Sequence, residues 1–280
     1  MGSAMTTNLN SRKWQMLHAI FRRSIADAVR EQRLEDLVEE LSGIVPDITE
    51  QYSTIKVEGP YMNTKVRAQH AFQISLVREV IGEFKEPVIV DVGDSSGTHL
   101  QYIRGLSSPG TGMKCLSVNI DEKAVEKVIR KGLQAIRARA EELHKYDVNA
   151  NIFLCFEIFE HLSDPCLFLH RLSTMTKANY LIMTVPYLRK SRIGLHHIRT
   201  GCSDPVSAES THIFELSPED WKLLVRHSGW DVIRERVYLQ YPKRGLLRIT
   251  EPLWRRYDFE GFYGLILKRD DTWASKYSSW

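Results

Sequence analysis

The 280-residue sequence predicts an α/β fold: a doubly wound, mostly parallel sheet with an N-terminal helical cap and an antiparallel C-terminal hairpin. Three observations predict it. From Val88 onward, short apolar runs rich in β-branched residues alternate with helical stretches, as buried parallel strands alternate with their crossover helices. The segment before Val88 has helical periodicity and no strand run. Two longer strand candidates close the chain with a modest insertion between them. No internal repeat interrupts this order.

The cap opens with Trp14, Leu17, Ile20 and Phe21 at helical spacing, continued by Ile25 and Val29, then by Leu34, Leu37, Val38 and Leu41. Ser42-Gly43 and then Pro46 stop it. Residues 53–59 read as a short extended link. A further helix over 65–84 carries one stripe of Val66, Phe72, Leu76, Val80 and Ile81. This is too little apolar surface for an independent core, so residues 1–85 are read as a lid on a main domain over 86–280.

In that domain, Val88-Ile89-Val90-Asp91-Val92 is a buried-type strand ending at Gly93, with a helical stretch after it. Strands follow at 115–118, 152–156 and 180–185, and helices at 122–131 and 167–175. After Pro186 periodicity is lost until His212, a stretch too long for a plain connector and therefore read as functional or partly mobile. Ser217-Pro218-Glu219-Asp220 has Ser at the N-cap, Pro at the first helical position and an acidic first turn, which starts a helix. Trp221, Leu224 and Val225 give it an apolar face, and Gly229 ends it. Strands at 230–239 and 262–267 form the closing hairpin around a helical or irregular insertion at 243–257.

Composition narrows the function classes. No apolar run approaches the ~20 residues that cross a bilayer, and Met1 to Met5 look like a cloning remnant with no signal-peptide core behind them. Lys and Arg total 38 against 35 Asp and Glu, a net charge of +3, too even to argue for nucleic acid. The basic runs at Arg189-Lys190-Ser191-Arg192 and Arg255-Arg256 read as solvated faces. Cys115, Cys155, Cys166 and Cys202 form no C-x-x-C pair, which excludes zinc-finger spacing and favours a reducing, cytoplasmic setting.

The strongest chemical signal is Asp91-Val92-Gly93-Asp94-Ser95-Ser96-Gly97 at the end of the first strand. Small residues let backbone approach a ligand, and the following helix offers free N–H groups. A carboxylate at the strand tip repels a pyrophosphate but not a cationic amine or sulfonium. The G-x-G-x-x-G spacing of a nucleotide-dependent oxidoreductase is absent.

On these residues the sequence resembles the class I S-adenosylmethionine-dependent methyltransferases, in motif order over 88–267. The resemblance implies a Rossmann-like sheet and S-adenosylmethionine as cofactor. The 91–97 segment is similar to the family's D-x-G-x-G-x-G motif, with Ser95 in place of the middle Gly. It implies that Gly93 and Gly97, with Asp94 and Ser95, line the methionine part and that Asp91 acts on its amino end. Leu116-Ser117-Val118-Asn119-Ile120-Asp121 matches the second strand; where the family keeps a ribose-binding acid, Asn119 stands, with Ile120 and Asp121 following. Either Asn119 or Asp121 suits the ribose hydroxyls. Ala140 and Glu141 match the adenine edge. Glu157-Ile158-Phe159-Glu160-His161-Leu162-Ser163-Asp164-Pro165 is similar to the family's E-x-x-E-H-x-x-D-P after strand four, implying that Phe156, Glu157 and His161 flank the cofactor. In the cap, Tyr61, Arg67, His70 and Gln73 sit where it could close on the methionine carboxylate or the acceptor, with Arg67 and Gln73 the candidates. One His beside one carboxylate is a thin ligand set, so no metal is assigned.

The activity so implied is O-methylation of a small molecule or glycan, by in-line transfer. A hydroxyl acceptor calls for a base, and His161, His196, His197 and His212 are the candidates because imidazole titrates near neutrality. The insertions at 187–212 and 241–260 are the expected acceptor walls. Tyr187 and the arginines of 189–199 suit an anionic acceptor. A cofactor-binding scaffold without catalysis is the alternative reading. Neither a nucleic-acid partner nor a membrane span is expected.

Overall fold

The computed structural model describes residues 12–52, 55–108, 110–201, 206 and 211–276. Met1 to Met5 and Cys202 lie outside the described residues.

Three helices form the cap: α1 (Arg12–Glu31), α2 (Glu35–Ile44) and α3 (Gly59–Arg78). The single run of helix read from the sequence breaks at Arg33, whose φ of 58° is left-handed. α3 begins earlier than its apolar stripe suggests, because Pro60 is in the first turn, where the missing N–H costs nothing. It also ends earlier, and a 3₁₀ turn at Ile81–Glu83 follows.

The strands are β1 (Val88–Val92), β2 (Lys114–Asn119), β3 (Gln134–Arg137), β4 (Ile152–Phe156), β5 (Tyr180–Pro186), β6 (Arg192–Ile193), β7 (Phe214–Glu215), β8 (Trp230–Leu239) and β9 (Gly261–Arg269). The helices after the cap are α4 (Thr98–Leu106), α5 (Glu122–Arg130), α6 (Pro165–Met175), α7 (His196–Arg199), α8 (Pro218–His227), α9 (Glu251–Tyr257) and α10 (Asp271–Ala274). Seven strands make one sheet in the order β3-β2-β1-β4-β5-β9-β8. The first five pair in parallel, while β9 runs antiparallel to both β5 and β8. The closing hairpin is thus present, with β9 inserted between β5 and the edge strand.

Alternation along each strand sends side chains to two cores. In β4, Ile152 and Leu154 join the cap-side core with Phe21, Ile25, Leu41, Phe72 and Leu76. Phe153 and Cys155 join the other core with Leu169, Met183, Trp221 and Trp230. The cap shares its core with one face of the sheet. Trp254 of α9 is fully buried, stacks on Phe21 at 4.1 Å, and donates Nε1–H to Ser24 Oγ at 3.3 Å. Much of the late insertion is therefore packed against α1.

The aperiodic stretch after β5 holds a short hairpin: β6 pairs with β7 around α7. Gly194 N–H donates to Ile213 O at 2.9 Å, and Ile213 N–H donates to Glu160 O at 2.6 Å. Those bonds dock the strap on the 3₁₀ turn Phe159–His161 that follows β4. Ser217 caps α8 as expected, its side chain accepting from Asp220 N–H.

Candidate functional site

Strand β1 lies between β2 and β4, so the chain winds outward from it in both directions. A doubly wound sheet opens a crevice at such a switch point, outside the carboxyl ends of its strands. Here the crevice is a cavity of about 360 Å³. Gly93 permits it: its φ is 89°, its N–H donates to Val118 O at 2.7 Å, and a Cβ there would collide with the Ile158 side chain. Gly97, at φ 73°, is the N-cap of α4, and a Cβ would lie 2.8 Å from Leu133 Cδ1.

The loop after β1 contributes Gly93, Asp94 and Ser95 to the wall. Asn119 and Ile120 come from the end of β2, and Ala140 and Glu141 from the turn after β3. Phe156, Glu157 and His161 come from β4 and the turn behind it. Gln73 enters from α3 and donates Nε2–H to Thr184 Oγ1 at 3.1 Å. These residues were all expected at a ligand site, and the fold gathers them around one space.

Four expected cofactor residues do not line it. Arg67 ties down the chain leaving α2: Nη2 donates to Pro46 O at 2.6 Å and Nη1 to Val45 O at 3.2 Å. Gly97 faces Leu133 and Val128 instead. Asp121 caps α5 by accepting from Lys123 N–H at 3.0 Å. Asp91 is buried behind the wall and accepts from His99 Nδ1 at 3.1 Å. The strand-tip charge read from the sequence is therefore shielded by an imidazole.

The candidate bases separate as well. His196 and His197 sit on α7 and do not line the cavity. His212 is not in its wall either, but its ring meets that of His161 edge to face at 4.8 Å. The arginines proposed for an anionic acceptor have partners within the chain. Arg189 pairs with Glu251 and Glu260, Arg192 with Glu215, and Arg199 donates to Ile193 O.

Several wall residues carried no weight in the sequence reading. Gln51, Tyr52 and Ile55 from the loop after α2, and Gln69 from α3, roof the cavity beside His70, which the sequence had placed in the closing cap. His99 lines it from the first turn of α4. Only His99 had an available signal, its place two residues after Gly97; the roof residues arrive by packing of the cap.

Two acidic groups set the electrostatics. Asp91, Asp94 and His99 are all buried together. Burial and then the Asp94 charge push the Asp91 carboxyl up to about 7. For His99, burial disfavours the imidazolium, but Asp94 and Asp91 outweigh it and the net direction is upward. Asp94 Oδ2 and Gln73 Oε1 are buried acceptors with no hydrogen-bond partner. The second group is Glu157 with Glu160. Glu157 has a left-handed φ of 56°, unusual outside glycine, held by its N–H donating to Thr184 O at 2.8 Å. Burial pushes its carboxyl up to about 8. Glu160 is 1% exposed; burial and Glu157 hold its carboxyl well above the carboxylate range.

No protein-family model matches the chain, and no curated protein matches it in sequence. Solved structures do match in shape. One is a Haloferax volcanii protein described as a methyltransferase, in complex with the Trm112 methyltransferase activator: TM-score 0.55, 14% identity, 74% of this chain and 92% of that one. Another is the [4+2]-cyclase SpnF: TM-score 0.53, 12% identity, 87% of this chain and 96% of that one. A third, from Listeria monocytogenes, is described as an S-adenosylmethionine-dependent methyltransferase: TM-score 0.51, 11% identity, 72% of this chain and 98% of that one. The chain has the Rossmann-like fold of the class I S-adenosylmethionine-dependent methyltransferases. No helix among the described residues is long and apolar enough to cross a membrane.

Proposed function

We propose that this chain is an S-adenosylmethionine-dependent methyltransferase whose acceptor is a hydroxyl group of a small molecule or glycan. The observation that carries the reading is the acceptor-rich wall at the switch point. Asp94 Oδ2 and Gln73 Oε1 belong to cavity-lining residues and accept from no protein group. Buried acceptors of this kind call for a donating, preferably cationic, ligand. A ligand with an ammonium and a sulfonium meets that demand, and the Gly93 bend leaves room for it.

When bound, S-adenosylmethionine supplies a methyl group already activated by its positive sulfur. The remaining work belongs to the protein: to align two reactants, exclude water and remove a proton. Asp94 takes the amino end, in place of the Asp91 expected from the sequence. Asp91 acts at one remove, orienting His99. Asn119 Oδ1 already accepts from Asp121 N–H at 2.8 Å, which leaves its amide N–H groups for a ribose oxygen. Ala140 and Glu141 border the adenine.

The acceptor approaches from the side of Glu157, Glu160 and His161. Glu157, with its carboxyl pushed up to about 8, takes a hydroxyl proton in its ionised form, whose share grows as pH rises through that value. A purely structural binder has no use for paired carboxyls kept beside the cavity at a cost in ionisation. Calorimetry with S-adenosylmethionine tests the cofactor. Turnover to S-adenosylhomocysteine across hydroxyl, amine and thiol acceptors tests the reaction. Binding followed by turnover on hydroxyls supports the reading. Absence of binding removes it, and binding without turnover on any acceptor favours the scaffold.

A further inference from the structure

The 3₁₀ turn after β4 and the docked strap bring three metal-type donors together. Glu160, His161 and His212 each offer one ligand atom, and these atoms all lie within 4.8 Å of one another. Sequence reading saw only the adjacent Glu-His pair, since His212 lies 51 positions further on. The hydrogen bonds from Ile213 N–H to Glu160 O and from His161 Nδ1 to Thr211 O, at 2.6 and 3.0 Å, bring it in.

Each donor is prepared for the same purpose. His161 Nδ1–H donates to the Thr211 carbonyl, so Nε2 holds the lone pair. His212 Nδ1–H donates to Glu215 Oε1 at 3.2 Å, which fixes its tautomer likewise. A histidine whose far nitrogen donates to a carboxylate or carbonyl is the usual supported form of a metal ligand. The Glu160 side chain is buried, and neither carboxyl oxygen has a hydrogen-bond partner. A buried carboxyl group whose oxygens lack donors is satisfied when a cation meets it. Asp91, Asp94 and His99 satisfy the same distance, but there His99 Nδ1 is given to Asp91.

We infer that Glu160, His161 and His212 bind one divalent first-row transition-metal ion at the acceptor end of the cavity. Two imidazoles and one carboxylate suit Mn²⁺, Fe²⁺, Co²⁺ or Zn²⁺ better than Mg²⁺, which prefers oxygen. Three protein ligands leave positions open towards the cavity that His161 lines. The existence of the site stands on these donors alone; its role rests on the methyltransferase reading. In that role the ion would hold the acceptor hydroxyl through its oxygen and make its proton easier to lose, and Glu157, in the cavity wall, would receive that proton. His161 and His212 are then ligands, not bases.

The test uses the full chain, stripped with chelator and titrated with Co²⁺ while the visible absorption is followed. One equivalent is expected to bind. Glu160→Gln and His212→Gln should each weaken binding at least 100-fold, and Glu215→Gln about 10-fold. S-adenosylhomocysteine affinity, measured on the same samples, should stay within threefold and reports that the variants fold. Less than one equivalent bound, or equal Co²⁺ affinity in Glu160→Gln and His212→Gln, overturns the site. Where a variant does not fold, paramagnetic shifting of the His161 and His212 ring protons by Co²⁺ in the unaltered protein reads the same contact, and unmoved resonances overturn it. Loss of S-adenosylhomocysteine binding by the unaltered chain would remove the cofactor reading and leave the metal result standing.

Discussion

Asp94→Asn separates ligand recognition from folding. Asp94 is 2% exposed, lines the cavity, and keeps Oδ2 without a partner. Its charge opposes that of Asp91, whose carboxyl is driven up to about 7 by burial and then by Asp94. An amide of the same shape removes the repulsion and keeps the packing. A hydrogen bond to a charged group contributes about 1.5–3 kcal/mol. The point-charge limit at ~4 Å and an effective dielectric near 20 is ~4 kcal/mol. Losing the former corresponds to roughly 10- to 150-fold weaker binding. Isothermal titration with S-adenosylmethionine and S-adenosylhomocysteine is the assay, since both carry the ammonium and only one the sulfonium. Both should weaken by the same factor, while the melting temperature at pH 7.5 holds or rises. A change under threefold refutes Asp94 as the recognition group. A loss confined to S-adenosylmethionine refutes the assignment to the amino end.

Asp91 makes the site pH-dependent. Its folded-state pKa is raised, so its contribution to stability is full below the ordinary carboxyl range and is lost as pH rises through about 7. The ligand's ammonium favours the ionised form, so the melting-temperature gain with saturating S-adenosylhomocysteine should be larger at pH 8 than at pH 5.5; an equal gain at both counts against the coupling. Gly93→Ala places a Cβ at φ 89° against Ile158 and should weaken cofactor binding at least 10-fold, with partial recovery in Gly93→Ala/Ile158→Ala; calorimetry of both variants decides. Trp254→Ala empties a fully buried site stacked on Phe21 and should cost about 3–5 kcal/mol in urea unfolding, whereas a cost under ~1 would mean the insertion is not part of the core.

Local sequence determined the strands of the main sheet except β3, their order of appearance and the loop chemistry; β3, β6 and β7 are short and have no apolar run of their own. Ile152–Phe156 is a continuous apolar run, and Val88–Val92 is broken only by Asp91, because parallel strands are buried on both faces. Asp94, Asn119, Glu157 and His161 were legible because each lies at or shortly beyond the carboxyl end of a strand, and that end in a doubly wound sheet is where ligands bind. Tertiary structure alone decided which carboxylate faces the cavity. Asp91 and Asp94 are three positions apart, and only the packed structure sets Asp91 behind the wall against His99 and leaves Asp94 in the wall itself. It alone brought Gln51, Tyr52 and Gln69 over the cavity, since the cap arrives through apolar packing that carries no polar signature. It also separated His196 from His212, though both border one aperiodic stretch, because the backbone bond from Ile213 to Glu160 anchors only the second beside His161. Periodicity records which face of an element is buried; which side chains from distant elements meet there is settled when those faces close on one another.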